Sequence, residues 1–282
     1  MLTAGNYKIY ILETGRFALD AGVVFGPIPK TMWGEKIKID QKNRMEMALR
    51  SILIVGNHRK ILVETGLGDN LSAKMKSIYG VDYSHFTLTN ALGEIGIGYN
   101  DITDVINTHL HFDHCGGNVV DNEEGWQPAF GQADYYIQKK QYEWAQSPSM
   151  LDRNSYIPEN YENLYSNGIM KLLEGESELF PGIHILTTDG HTPGQQHILI
   201  EDKEEPVFFA ADLFPLHFNI ITPWFSSLEL SPLNFMDEKE EILTRAADQN
   251  WRIIFSHDTE VISARVKRGS KYYRSYEQQS GT

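Results

Sequence analysis

The sequence predicts an α/β protein of the α+β type, with two mixed β-sheets packed together and helices outside. Three observations lead there. Short β-branched and aromatic runs outnumber helical stretches. They do not alternate with helices one for one, which argues against a doubly wound parallel sheet. The 282 residues can bury a full core, and no repeat, low-complexity tract or Gly/Ser linker divides them, so a single domain over residues 1–282 is expected.

The elements follow in order. Tyr7–Glu13 reads as a strand, and residues 20–33, rich in Gly, Pro and aromatics, as an ordered loop. Ser51–Val55 and Ile61–Glu64 flank Gly56-Asn57-His58, a hairpin signal. Asn70–Tyr79 and Leu88–Ile95 read as helices, the second stopped by Gly96 and Gly98. Asp104–Asn107 and Asp134–Ile137 read as strands, Lys139–Ala145 as a helix, and 146–168 as loop with helical turns. Met170–Leu173, Ile183–Thr187, His197–Ile200 and Val207–Ala210 read as strands, Asp237–Gln249 as an amphipathic helix, and Arg252–Ser256 as a strand ending at His257.

Composition narrows the function. A formal net charge of −13 repels nucleic acid and anionic membranes. The basic residues near the end (Arg265, Lys267, Arg268, Lys271, Arg274) read as a solvated strand pair. The single cysteine, Cys115, rules out an intrachain disulfide. Lys8, Glu13 and Arg16 interrupt the first apolar residues, so no signal peptide is expected. Leu213 to Phe225 is too short and too broken to span a bilayer. A cytoplasmic protein is the expectation.

The chemistry is concentrated in His109-Leu110-His111-Phe112-Asp113-His114, directly after a strand and before Gly116-Gly117. His109 and His111, two apart in extended chain, project the same way. Asp113 and His114 fall in the turn, where they can face a second ion. Imidazole nitrogen with carboxylate oxygen suits zinc, with manganese or iron as alternatives. Two ions about 3.5–4 Å apart share a hydroxide and clamp attacking and leaving oxygens. His191 (in Gly190-His191-Thr192-Pro193-Gly194), Asp212 and His257 each follow a predicted strand, where loops carry function on a rigid scaffold.

His109-x-His111-x-Asp113-His114, the His191 motif, Asp212 and His257, in this order, resemble the metallo-β-lactamase-fold hydrolase superfamily from about Ile61 to His257. The resemblance implies a four-layer αββα sandwich. It implies one ion on His109, His111 and His191, a second on Asp113, His114 and His257, and Asp212 bridging them. Where the family usually has Asp, this chain has Glu64, in Glu64-Thr65-Gly66-Leu67-Gly68-Asp69. That residue normally supports a ligand histidine, and Glu64 is expected to bend back to do so. His58, His85, His184 and His197 match no ligand position and read as surface or satisfied core residues; Cys115 reads as a small packed residue.

Fold does not name a substrate. The acidic balance disfavours RNA. Redox diiron members would have a carboxylate at the position of His111, and glutathione thioester hydrolases usually add a basic helical C-terminal region. A small, fairly apolar substrate remains. Phe214, Phe218, Trp224 and Phe225, with Phe25 and Trp33 of the front loop, read equally as an apolar pocket, ordinary core or a dimer interface. The pattern resembles the lactonase and organophosphate-hydrolase branch more than true β-lactamases. Lactonases of this fold often place a Tyr shortly after the bridging Asp; from Pro215 onward this chain has none, which leaves His217 or Asn219 as the acid.

The expected function is therefore a metal-bridging hydroxide cleaving a small ester or lactone, with Asp113 and His217 as catalytic side chains. Phosphoester hydrolysis is the runner-up, and a non-catalytic metal-containing binding protein the alternative class. The expected partner is a small-molecule substrate, with a homodimer as a further option and neither nucleic acid nor membrane.

Overall fold

The computed structural model describes residues 1–122 and 125–280. The chain forms two compact units: Met1–Arg16, Leu49–Gly175 and Gly194–Gln196 make the first, and Phe17–Ala48, Glu176–Pro193 and His197–Thr282 the second. Two seven-stranded mixed sheets dominate, as the sequence predicts.

The first sheet has strand order β1-β2-β3-β4-β5-β8-β9. It is built from β1 (Leu2–Ala4), β2 (Tyr7–Asp20), β3 (Arg44–Gly56), β4 (Arg59–Val63), β5 (Asp104–Ile106), β8 (Asp134–Gln138) and β9 (Met170–Leu173). β6 (Val119–Asn122) and β7 (Gly125–Pro128) pair apart from it. The β3–β4 turn is Asn57-His58, both at positive φ (48° and 61°), the two-residue geometry whose twist matches that of the strands. β4, β5, β8 and β9 run parallel. Parallel neighbours need crossovers. α3 (Ala73–Ile78) and α4 (Leu88–Glu94) lie between β4 and β5, and α6 (Lys139–Gln146) and α7 (Glu162–Ser166) between β8 and β9. Every residue of β5 is buried, as parallel strands require, and Leu62, Val105, Tyr135 and Ile137 anchor the core around it.

The second sheet runs in chain order: β10 (Ser177–Phe180), β11 (Ile183–Thr188), β12 (Gln195–Ile200), β13 (Val207–Phe209), β14 (Arg252–Ile254), β15 (Val261–Arg268) and β16 (Tyr273–Ser280). β13 and β14 run parallel, and α8 (Pro232–Asp248) crosses between them. α8 buries Phe235, Lys239, Ile242, Leu243 and Ala246, a helical stripe against Phe208, Trp251 and Ile253.

Three readings change. Residues 20–33 are not loop throughout: they hold α1 (Ala21–Phe25) and α2 (Lys30–Trp33). The Asp20 carboxylate accepts from the Gly22 and Val23 amides at 2.8 and 3.2 Å, satisfying donors that would otherwise end α1 before it began. β2 and β3 are longer than their apolar runs, and β1, β6, β7 and β10 carry no strong β pattern. Of the basic residues near the end, Arg265, Lys267, Arg268 and Arg274 lie on a strand pair, β15–β16, and Lys271 falls between the strands; Arg265 meets Glu205 and Glu277 (3.0 and 3.2 Å) and Arg268 meets Asp248 (3.1 Å). Among the described residues, no helix is long and apolar enough to cross a membrane.

His197 of β12 tests this packing. Its Nδ1 donates to the Ala210 carbonyl (3.0 Å) and its Nε2 accepts from the Thr188 hydroxyl (2.8 Å), so the neutral ring is satisfied. Burial pushes its pKa from 6.5 down to about 4. The unfolded chain therefore binds more protons across that window, and stability falls as pH drops through it, by roughly 3 kcal/mol in all. Denaturant unfolding between pH 7 and 4 should show this slope, and His197→Gln should flatten it.

Candidate metal centre

In the first unit, β5 delivers the chain into Asn107 and Thr108, both fully buried. Asn118 Nδ2 donates to Asn107 Oδ1 (2.9 Å) and Gln196 Nε2 to the Asn107 carbonyl (2.7 Å), fixing the strand end. His109 and His111 follow in extended chain; Asp113 and His114 lie on α5 (Phe112–Cys115). Gly116 and Gly117 are needed for close approach rather than for an unusual φ. A Cβ at Gly116 would lie 2.0 Å from the Leu67 carbonyl oxygen, and one at Gly117 2.3 Å from that of Thr65.

This loop gathers its side chains tightly. His109 Nε2 lies 3.0 Å from His111 Nδ1, and His109 Nδ1 lies 3.0 Å from the Thr108 hydroxyl. The His114 ring stands 4.1 Å from that of His109, with its Nε2 3.5 Å from Asp113 Oδ2. Glu64 does bend back: its Oε2 meets His114 Nδ1 at 2.9 Å and its Oε1 accepts from the Thr108 amide at 2.9 Å. It reaches both from a left-handed backbone (φ 67°), an uncommon conformation for a non-glycine residue.

In the second unit, His191, Asp212 and His257 lie beyond the C-terminal ends of β11, β13 and β14. Because β13 and β14 are parallel neighbours, Asp212 and His257 emerge at the same sheet edge. Asp212 divides its oxygens: Oδ2 lies 3.3 Å from His191 Nε2, and Oδ1 3.1 Å from His257 Nε2. The far nitrogens are held. His257 Nδ1 donates to the Ala48 carbonyl at 2.8 Å, and His191 Nδ1 meets Glu229 Oε2 at 2.8 Å. The His191 turn sits on α8: the Asp189 and Gly190 amides donate to Glu238 (2.7 and 2.9 Å), and a Cβ at Gly190 would lie 2.4 Å from Phe235 Cα. Burial raises the Glu238 carboxyl above its usual range.

The donor set fits a cation. A carbonyl only accepts, so the proton of a neutral His257 sits on Nδ1. Its Nε2 then turns a lone pair toward Asp212 Oδ1, two acceptors 3.1 Å apart. A proton or a metal ion relieves that repulsion, and nitrogen with carboxylate oxygen is zinc chemistry. The seven His and Asp side chains fall into groups able to hold a metal ion.

The other candidates separate. His217 Nδ1 meets Asp258 Oδ2 at 2.5 Å, and His217 lines a cavity of about 380 Å³ with Ile37, Met45 and Phe218. Burial opposes ionisation of Asp258, but hydrogen bonds and the His217 charge hold its carboxyl below the usual range. Asn219 is committed to the turn, its Oδ1 accepting from the Leu216 amide (2.8 Å) and its Nδ2 donating to the Trp224 carbonyl (3.2 Å). The aromatic segment divides. Phe218 and Trp224 join Phe25 and Trp33 in one cluster, whereas Phe214 is core and Phe225 packs on Phe235. His58 and His85 are exposed, and His184 sits at the surface 3.4 Å from Glu201. Cys115 is fully buried, which pushes its thiol pKa well up. Glu229 and Asp258 carry no sequence signal: neither stands in a recognisable motif with its histidine.

A family profile described as the metallo-beta-lactamase superfamily matches residues 50–257. An N-acyl homoserine lactonase of Bacillus sp is 31% identical over 217 residues, covering 73% of this chain and 75% of that one. A probable metal-dependent hydrolase from Staphylococcus aureus superposes with a TM-score of 0.87 at 25% identity, covering 99% of this chain and 100% of that one. AidC, a dizinc quorum-quenching lactonase, superposes at 0.76 with 20% identity, over 99% of this chain and 96% of that one.

The divided carboxylate sets one expected outcome. Asp212→Ala should lower zinc retention after gel filtration, while His184→Ala should match wild type; equal behaviour would refute the role of Asp212. Glu64→Gln should keep the fold by circular dichroism and weaken zinc binding about 10–100-fold.

Proposed function

This chain belongs to the metallo-beta-lactamase superfamily, and on that premise we propose that it is a binuclear metal-dependent hydrolase acting on small lactones or esters. The observation that carries the reading is Asp212, whose two oxygens face two different imidazoles, each held from behind through its other nitrogen. Relatives named as N-acyl homoserine lactonases support lactones over other substrates of the superfamily.

Following the family pattern, we assign His109, His111 and His191 to one ion and Asp113, His114 and His257 to the other, with Asp212 shared. Zinc is the ion proposed, supported by the dizinc fold relative. Bound divalent ions would acidify water and polarise a carbonyl. The side chains supply the rest. Asp113, in the first turn of α5, is the residue proposed to orient the attacking water and take its proton. His217 is the proposed acid. Asp258 holds its Nδ1, which leaves Nε2 to give a proton to the departing alkoxide. Phe218, partly exposed beside His217, offers an apolar surface to the substrate.

The test is a hydrolysis screen across lactones, aryl esters, phosphoesters and RNA, on protein whose metal content is measured. The expected result is close to two transition-metal ions per chain and turnover of an uncharged lactone or aryl ester above any RNA. Metal content near zero that added zinc cannot raise would overturn the reading, as would RNA cleavage without ester hydrolysis. His217→Gln should lower kcat most for esters with poor leaving groups, where protonation of the alkoxide matters most, and leave metal content unchanged.

A further inference from the structure

We infer that Glu229 is a positioning residue for His191, fixing the tautomer and direction in which this imidazole meets a metal ion. The inference rests on the metal-dependent reading above. Glu229 lies 38 residues beyond its histidine and is 5% exposed. Both of its oxygens are used. Oε2 meets His191 Nδ1 at 2.8 Å, and Oε1 accepts from the Ser226 hydroxyl at 2.7 Å. That hydroxyl in turn accepts from the Leu228 amide at 3.0 Å.

The backbone around Glu229 is fastened on both sides. The Leu230 amide donates to the His191 carbonyl (3.3 Å) and the Ser231 amide to the Gly190 carbonyl (2.9 Å). Upstream, the Ser227 amide donates to the Val23 carbonyl at 2.9 Å. The segment thus travels with the His191 turn, and the carboxylate has little freedom to leave the ring.

A buried carboxylate is costly unless a cation offsets it. Lys239 of α8 is the basic group whose charge acts on it, although burial lowers that amine's pKa to about 7. It is fully buried, its three donors meet the carbonyls of Ile221 (3.4 Å), Thr222 (3.0 Å) and Trp224 (2.7 Å), and its charge interacts with Glu229. A carboxylate with a basic group in its field is more than a loop staple needs, since a neutral acceptor would bond Nδ1 equally well. The charge has a use: an anionic acceptor on Nδ1 raises the basicity of Nε2, the nitrogen turned toward Asp212. His114, backed by Glu64, is the matching case in the other unit.

The experiment measures zinc affinity by chelator competition on metal-free protein, with no substrate present. Glu229→Gln keeps the shape and the acceptor but removes the charge. It should weaken one of two zinc-binding steps about 10–100-fold, alter the absorption spectrum of the cobalt-substituted protein, and leave the circular dichroism of the metal-free protein unchanged. Ser226→Ala, which keeps the carboxylate on His191, should bind zinc nearly as wild type. Unchanged zinc affinity in Glu229→Gln overturns the inference, and so does an equal loss in Ser226→Ala, which would mark disruption of the segment rather than loss of the charge. Should Glu229→Gln fail to fold, Glu229→Asp carries the test, and wild-type zinc affinity there overturns the inference. A wild-type protein that binds two zinc ions without cleaving any lactone leaves this inference standing and defeats only the substrate assignment; one that binds no zinc defeats both.

Discussion

An imidazole binds a metal only through a nitrogen that carries no proton, so a histidine-built metal centre depends on what holds the other nitrogen. Glu64 holds His114, Glu229 holds His191, the Ala48 carbonyl holds His257, and the Thr108 hydroxyl sits on His109. These four partners come from different stretches of chain. Each is buried or main-chain, so each is shielded from water that would compete for the bond. The β-strands matter chiefly because they bring such partners to within hydrogen-bond reach of rings placed at strand ends.

The candidate ligand residues were legible in the sequence because their spacing is local. His109 to His114 occupy six consecutive positions, and His191, Asp212 and His257 each close a recognisable apolar run. Glu64 was legible for a different reason: it stands where the family pattern has a shorter acid. Glu229 and Asp258 were not legible, because a buried carboxylate meeting a histidine about 40 positions away leaves no periodicity behind. The same logic separates the elements. α8 and β9 announce themselves through their own side chains, whereas α1 exists because the Asp20 carboxylate caps it. The aromatic segment after Asp212 shows the limit of composition. Phe214 and Phe218 are four apart, yet the first is sealed in the core beside Lys239 and the second borders a cavity.

Charged side chains of α8 in the second unit are met by polar partners. Lys239 meets three carbonyls and the field of Glu229, and Glu238 receives two backbone amides from the His191 turn. Lys239 is fully buried and burial lowers its pKa to about 7, so it can shed its proton rather than stand unpaired, whereas Glu238 is only partly buried. α8 therefore does two jobs: its apolar stripe covers the sheet, and Glu238 and Lys239 fasten the loops that carry His191 and Trp224.

The crossing of two backbones in the first unit limits how this protein can diversify. Gly68 and Gly116 approach so closely that a Cβ on either would fall within 2.1 Å of the opposing chain. No side chain fits there, so the turn bearing Glu64 and the turn bearing His114 cannot drift apart or accept an insertion independently. New substrate preferences would have to arise elsewhere, in residues 20–39 and 213–231, where exposed side chains such as Met32 and Leu228 are free to vary. The chemistry is thereby insulated from the parts of the molecule on which selection for a different leaving group or acyl chain could act.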